Sequence, residues 1–177
     1  PTSEISFNKL KANLKLGSVN TVIKYMSYLE NAWLFFIINK YAFSVKEQQI
    51  AAKKVYGIDT GLLKDVGFSF SKNTGNLMEN LVFLQLRRQF QDVYYYKTNQ
   101  NHEVDFYIPS QKLAVQVSLD LSDESTKERE LRSLVELDEE MKGKHQLTVI
   151  TLANKEILAI QEKTVEVIPL YEWLLGE

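Results

Sequence analysis

The stretch EVDFYIPSQKLAVQVSL, residues 103–119, limits the fold of this chain more than any other segment. It alternates with period two on both sides of the separator PSQK, which reads as two strands joined by a tight turn. A strand sends successive side chains to opposite faces, so Val104, Phe106 and Ile108 share one face and Glu103 and Asp105 the other. On an adjacent strand, Val115 and Val117 extend the apolar face, while Gln116 and Ser118 extend the polar one. The sheet is therefore expected to press one face into a core and to gather carboxylate, amide and hydroxyl groups on the other.

The surrounding segments supply the rest of such a sheet. VYYYK at 93–97 reads as a preceding strand. The run TGNLMENLVFLQLRRQF at 74–90 predicts a helix whose first part is apolar nearly all round, the mark of a buried helix. Glu79 sits inside that run. A carboxylate there costs several kcal/mol unless it is paired, hydrogen-bonded or metal-bound. A structural glutamate bonded to backbone or to an arginine and a ligand-holding glutamate are both open readings. Further on, a helix from about 123 to 141 carries Leu131, Leu134, Val135 and Leu137 on its apolar side. LTVITL at 147–152 and TVEVI at 164–168 read as strands, and PLYEWLLG closes the chain as a helix with Pro169 at its start. Strands alternating with helices predict an α/β class.

The first sixty residues have a different character. They hold eight lysines against Glu4, Glu30, Glu47 and Asp59, a net of +4, while residues 61–177 carry −6. This asymmetry predicts two units with different partners. SEISFNKLKANLKLG places Phe7, Leu10 and Leu14 on one helical face, with Gly17 ending the helix. Ser18 can cap a second helix whose inner face is Val19, Val22, Ile23, Met26 and Leu29. Two short helices followed by β-type runs at 33–43 and 53–59 fit a winged helix-turn-helix, with polar residues 44–52 as the wing. The second helix would then offer Asn20, Thr21, Lys24, Ser27, Tyr28 and Asn31 to a DNA groove, with Asn20, Thr21, Lys24 and Tyr28 as the nucleic-acid-binding candidates. Lys9, Lys11, Lys15, Lys53 and Lys54 could add phosphate contacts. A solvated helix face, or a face that docks on a neighbouring domain, explains the same pattern.

Several classes of function are excluded. With no cysteine there is no disulfide framework and no thiolate metal site. No apolar run approaches the roughly 18 residues of a membrane span. No secretory leader opens the chain, so the expected location is cytoplasmic and no membrane partner is expected. His102 and His145 are isolated in sequence and read as loop residues, not as metal ligands.

The order helix with Glu79, strand, strand with Asp105, turn, strand with Gln116-Val117-Ser118, then helix resembles the PD-(D/E)xK restriction-endonuclease-like fold. A closer resemblance is to the C-terminal half of an uncharacterised family of prokaryotic AAA-type ATPases. It is carried by LGSVNTVIKYMSYLENAWLF, KKVYGIDTGLL, GNLMENLVFLQL, VYYYKTNQNHEVDF, VQVSLDLSDESTKERELRSL and VEVIPLYEWLL. The resemblance implies a winged helix-turn-helix domain at 1–65 and a mixed-sheet nuclease-like α/β domain at 66–177. It also implies that the chain, which opens at Pro1 and has no GxxxxGK phosphate loop, is a piece of a longer protein. ATP binding would then belong to an upstream ATPase domain, the chain's nearest partner.

In an active site of that fold two acids, here Glu79 and Asp105, hold Mg²⁺. The metal polarises the phosphate and a lysine positions the water. Here Gln116 replaces an acid and Ser118 stands at the lysine position. Losing a proton-transfer or water-positioning group costs about 10²- to 10⁴-fold in rate. Catalytic candidates are Glu79, Asp105 and Gln116, with Lys97 leaning in from the preceding strand. Lys127 or Arg129 from the following helix is another source of charge, and Glu103 of a second acid. Thr126, Arg129 and Glu130 are also expected to form a polar network with Gln116. The resulting expectation is a DNA- or partner-binding region with a degenerate nuclease-like domain. The alternatives are a Mg²⁺-dependent endonuclease acting on double-stranded DNA, and an adaptor for ATPase assembly or homo-oligomer formation.

Overall fold

A computed structural model describes residues 4–61 and 74–176. The chain divides into two compact units, residues 1–80 and 81–177. The expected boundary at 65/66 lies outside the described residues. The class is mixed α/β.

In the first unit, α1 spans Phe7–Asn13 and α2 spans Val19–Asn31. Ser18 caps α2 by accepting from the Thr21 amide at 3.1 Å, as its position before the apolar run requires. α1 stops sooner than Gly17 suggests. Its chain turns at Lys15, which takes a left-handed φ of 52°, and Leu14 is left exposed. Of the inner face expected for α2, Val22 is buried while Ile23 and Leu29 are 44% and 39% exposed. β1 (Phe35–Asn39) and β2 (Lys53–Gly57) pair antiparallel with Ile37 opposite Val55. The segment expected as a wing contains a short helix, α3, Val45–Ile50. Six residues is too short for periodicity to declare itself.

Helix α4, Thr74–Gln89, begins in the first unit and ends in the second. In the first unit its Asn80 clasps β2. The side chain accepts from the Gly57 amide at 2.8 Å and donates to the Gly57 carbonyl at 3.0 Å. Both groups are buried, so Asn80→Ala leaves two backbone groups unsatisfied. It is expected to lower stability by about 2–4 kcal/mol, read from the urea midpoint. A loss under about 0.5 kcal/mol would show that water replaces the amide freely.

The second unit holds a six-stranded sheet in the order β3-β4-β5-β6-β8-β7. The strands are β3 Tyr94–Lys97, β4 Glu103–Ile108, β5 Leu113–Val117, β6 Gln146–Thr151, β7 Glu156–Ile160 and β8 Lys163–Pro169. β4 pairs antiparallel with both β3 and β5. β5, β6 and β8 are parallel, and β7 closes the far edge antiparallel. Helix α5, Glu124–Glu140, crosses from β5 to β6, with Asp123 capping it through the Thr126 amide at 2.8 Å. Helix α6, Leu170–Leu175, follows β8. The register Phe106 opposite Val115 opposite Thr148 aligns the apolar face as the alternation requires. Val104, Phe106, Ile108 and Val115 are fully buried, and Phe83 of α4 packs on Phe106 with centroids 6.2 Å apart. The opposite face, from which Gln116 projects, lies under α5.

Candidate functional site

The polar site of the second unit forms where β4 and β5 part. Backbone pairing runs from Ile108 opposite Leu113 to Phe106 opposite Val115. One step further, side chains take over from the ladder. The Asp105 amide donates to Gln116 Oε1 at 3.1 Å, and the Val117 amide donates to Asp105 Oδ2 at 3.0 Å. The Gln116 amide nitrogen then donates to Glu130 of α5. The second oxygen of Glu130 accepts from Arg129 Nη2 at 2.6 Å. Asp105, Gln116 and Glu130 are buried, while Arg129 reaches in from the surface. The bond to Glu130, its charge and the nearby charge of Asp105 hold the Arg129 guanidinium above its ordinary pKa. The expected network of Gln116 with Glu130 and Arg129 is thus present, whereas Thr126 lies in the helix cap.

The other sequence candidates sit as follows. Ser118, at the lysine position, turns its hydroxyl to the Asp120 carbonyl at 3.0 Å. Lys97 stands across the hairpin from Glu103, Nζ to Oε2 3.7 Å. Glu79 belongs to the first unit. Its Oε1 accepts from Lys54 Nζ at 3.2 Å and from the Tyr56 hydroxyl at 2.8 Å. Lys54, expected as a surface phosphate contact, is fully buried, and Lys53 is buried with its ammonium on the Gln48 carbonyl. Burial pushes the Lys53 pKa down. Alternation in β2 carries the signal that sequence reasoning missed. Lys54 and Tyr56 share one face, so a buried Tyr56 takes Lys54 with it. On α2, Asn20, Lys24 and Tyr28 are exposed. Thr21 Oγ1 lies 3.1 Å from the Ser18 hydroxyl, and Lys24 Nζ rests 5.8 Å from the Tyr28 ring centre.

These contacts decide how well the residues suit the Mg²⁺ that the nuclease resemblance implies. A hard dication needs several free oxygens around one point. Glu79 is ion-paired to Lys54, the Gln116 carbonyl is engaged by a backbone amide, and Glu130 is bonded to Gln116 and Arg129. Among the described residues, no group of three or more His, Cys, Asp or Glu could hold a metal ion. The donor set does not fit the ion.

Both histidines, read as loop residues, bond to acids of α5. His102 Nδ1 meets Glu136 at 2.9 Å and His145 Nδ1 meets Asp138 at 2.8 Å. Asp138 also accepts from Lys163 at 2.5 Å, and His145 Nε2 lies 3.3 Å from the Tyr107 hydroxyl. Burial works to raise the Asp138 pKa. The bonds from Lys163 and His145 outweigh it and hold the carboxyl below the ordinary range. A carboxyl depressed in the folded state contributes stability above its unfolded pKa, and that contribution fades as pH falls through the folded value. Lys163→Met is therefore expected to make the chain unfold at higher pH on acidification, in the range below about pH 4, as followed by circular dichroism. An acid midpoint unchanged or lowered would contradict the coupling.

Comparison with known proteins gives the following. Residues 74–173 match a family described as domain of unknown function DUF4143, and residues 2–72 match one described as domain of unknown function DUF8612. An uncharacterized protein of Methanocaldococcus jannaschii is 35% identical over 98% of the chain, and one of Haemophilus influenzae is 29% identical over 98%. The chain spans 41% of the length of each of these curated relatives. No solved structure matches it. Among the described residues no helix is long and apolar enough to cross a membrane. With its match over residues 74–173, more than half of its length, the chain belongs to the DUF4143 family.

Proposed function

We propose that the chain is the DNA- or partner-binding region of an ATPase-type protein. In this reading the first unit is a winged-helix-type module and the second a restriction-endonuclease-like domain that no longer cuts. A contrast between the units carries the reading. The acid site of the second is closed by its own hydrogen bonds, from Asp105 through Gln116 to Glu130, while the polar face of α2 stays open to solvent. The fold order supports the nuclease likeness, since β4 and β5 diverge at Asp105 as a site-forming pair would. The ATPase activity belongs to the part of the longer protein outside these residues, as the resemblance to AAA-type ATPases implies. Exposed Phe43, Val45 and Ile50 around α3 favour a second reading, an adaptor surface for assembly of that longer protein.

The test has two arms. Incubated with Mg²⁺ or Mn²⁺ and DNA, the chain is expected to leave the DNA intact. In a shift assay, its affinity for mixed-sequence DNA is expected to fall between about 50 and 200 mM salt, as phosphate contacts require. Cleavage that Asp105→Ala abolishes would overturn the loss of catalysis, and salt-independent or absent binding would favour the adaptor.

A further inference from the structure

We infer that the nucleic acid taken by the first unit is an unpaired strand, whose bases stack on the exposed rings of Tyr25, Tyr28 and Trp33. This rests on the nucleic-acid reading of α2 and names the form of its ligand. At 3.6 residues per turn, Thr21, Lys24, Tyr25 and Tyr28 fall within about a third of the helix circumference. Tyr25 is 52% exposed and Tyr28 54%. Trp33 follows the end of α2 at a left-handed φ of 58°, with 65% of its surface exposed and its ring edge-on to Phe36 at 5.8 Å. Three large rings on one short segment are an unusual surface to leave in water.

Chemistry chooses between ligands. A helix in a duplex groove reads base edges, for which polar and basic side chains serve, and the base faces there are already stacked on one another. α2 carries a single cation, Lys24, beside two exposed tyrosines, whose rings a duplex groove does not use. Unpaired bases offer free faces, and aromatic platforms hold them without reading sequence. Lys24 lies over the Tyr28 ring, 5.8 Å from its centre, and the residue is still 54% exposed, with surface left for a base. The net charge of +4 over residues 1–60, with Lys9 and Lys15 exposed on and after α1, complements a phosphate backbone.

The experiment measures binding of the whole chain to a mixed-sequence single strand and to its duplex by fluorescence anisotropy. The single strand is expected to bind more tightly. Tyr28→Leu or Tyr25→Leu should weaken it about 5- to 100-fold, and Tyr28→Phe, which keeps the ring face, should bind as the parent does. Tyr171→Ala, an exposed tyrosine of the second unit, should change nothing. Duplex bound as tightly or more tightly, or Tyr28→Phe as damaging as Tyr28→Leu, would overturn the stacking proposal and leave DNA binding standing. Binding to neither strand nor duplex would overturn both.

Discussion

Glu79→Ala is expected to destabilise the chain by about 3–5 kcal/mol, because it removes a carboxylate that a fully buried ammonium bonds. Lys54 has no exposed side-chain surface and Glu79 only 6%, with 3.2 Å between them. Desolvating two charges is expensive, and their attraction repays it only while both are present. The loss is therefore steep for either single change, and Lys54→Met should be nearly as damaging as Glu79→Ala. The paired replacement Lys54→Met with Glu79→Leu removes both charges at similar volume, so it should return most of the stability. The Tyr56 hydroxyl, which donates to the same oxygen at 2.8 Å, sets the residual deficit at about 1–3 kcal/mol for its lost acceptor. Urea denaturation of the three variants forms a double-mutant cycle. A glutamate kept as a metal ligand behaves in the opposite way, since its removal leaves the metal-free protein unharmed or steadier. A stable Glu79→Ala chain would end the structural account of this residue.

Gln116→Ala should also cost about 2–4 kcal/mol. The amide holds two groups at once, accepting from the Asp105 backbone and donating to the Glu130 carboxylate. Truncation leaves a buried N–H and a buried carboxylate oxygen without that partner, and a charged orphan costs more than a neutral one. The damage should be local. Backbone exchange at Asp105 should accelerate, while exchange in the parallel run β5-β6-β8 should change less. Gln116→Glu sets a third acid beside Glu130 and should destabilise at neutral pH through like-charge repulsion. Recovery of that variant by millimolar Mg²⁺ or Mn²⁺ would reveal a latent cation site and revive the endonuclease reading. Gln116→Ala unfolding at the parent's urea midpoint would show that the clasp contributes nothing.

Much of the second unit was legible in the sequence because its strands are buried and regular. EVDFYI coincides with β4, and the alternation of Val104, Phe106 and Ile108 against Asp105 gave the correct faces. Strand β7 was not legible. EILAI lies at the sheet edge with Ile157 exposed, and its hairpin turns through Gln161 and Glu162 at positive φ without a glycine or asparagine to mark the turn. The first unit was harder for a related reason. Its helices bury narrow stripes, so Ile23, Leu29 and Leu14 looked like core and are not. The site was read in part. The link of Gln116 to Glu130 and Arg129 followed from the family resemblance after the QVS strand, which also included Thr126, found instead in the helix cap. The destination of Glu79 did not, because nothing local says which distant lysine shares its pocket.

Helix α4 bears on how the polypeptide can be dissected. The family matches meet at residues 72 and 74, yet Glu79 and Asn80, on the far side of that seam, complete the first compact unit. A clone stopped at the seam would take the Glu79 carboxylate from Lys54 and the Asn80 clamp from the Gly57 peptide. Recombinant versions of the front half therefore need to run through the end of this helix, at Gln89, to yield a foldable product.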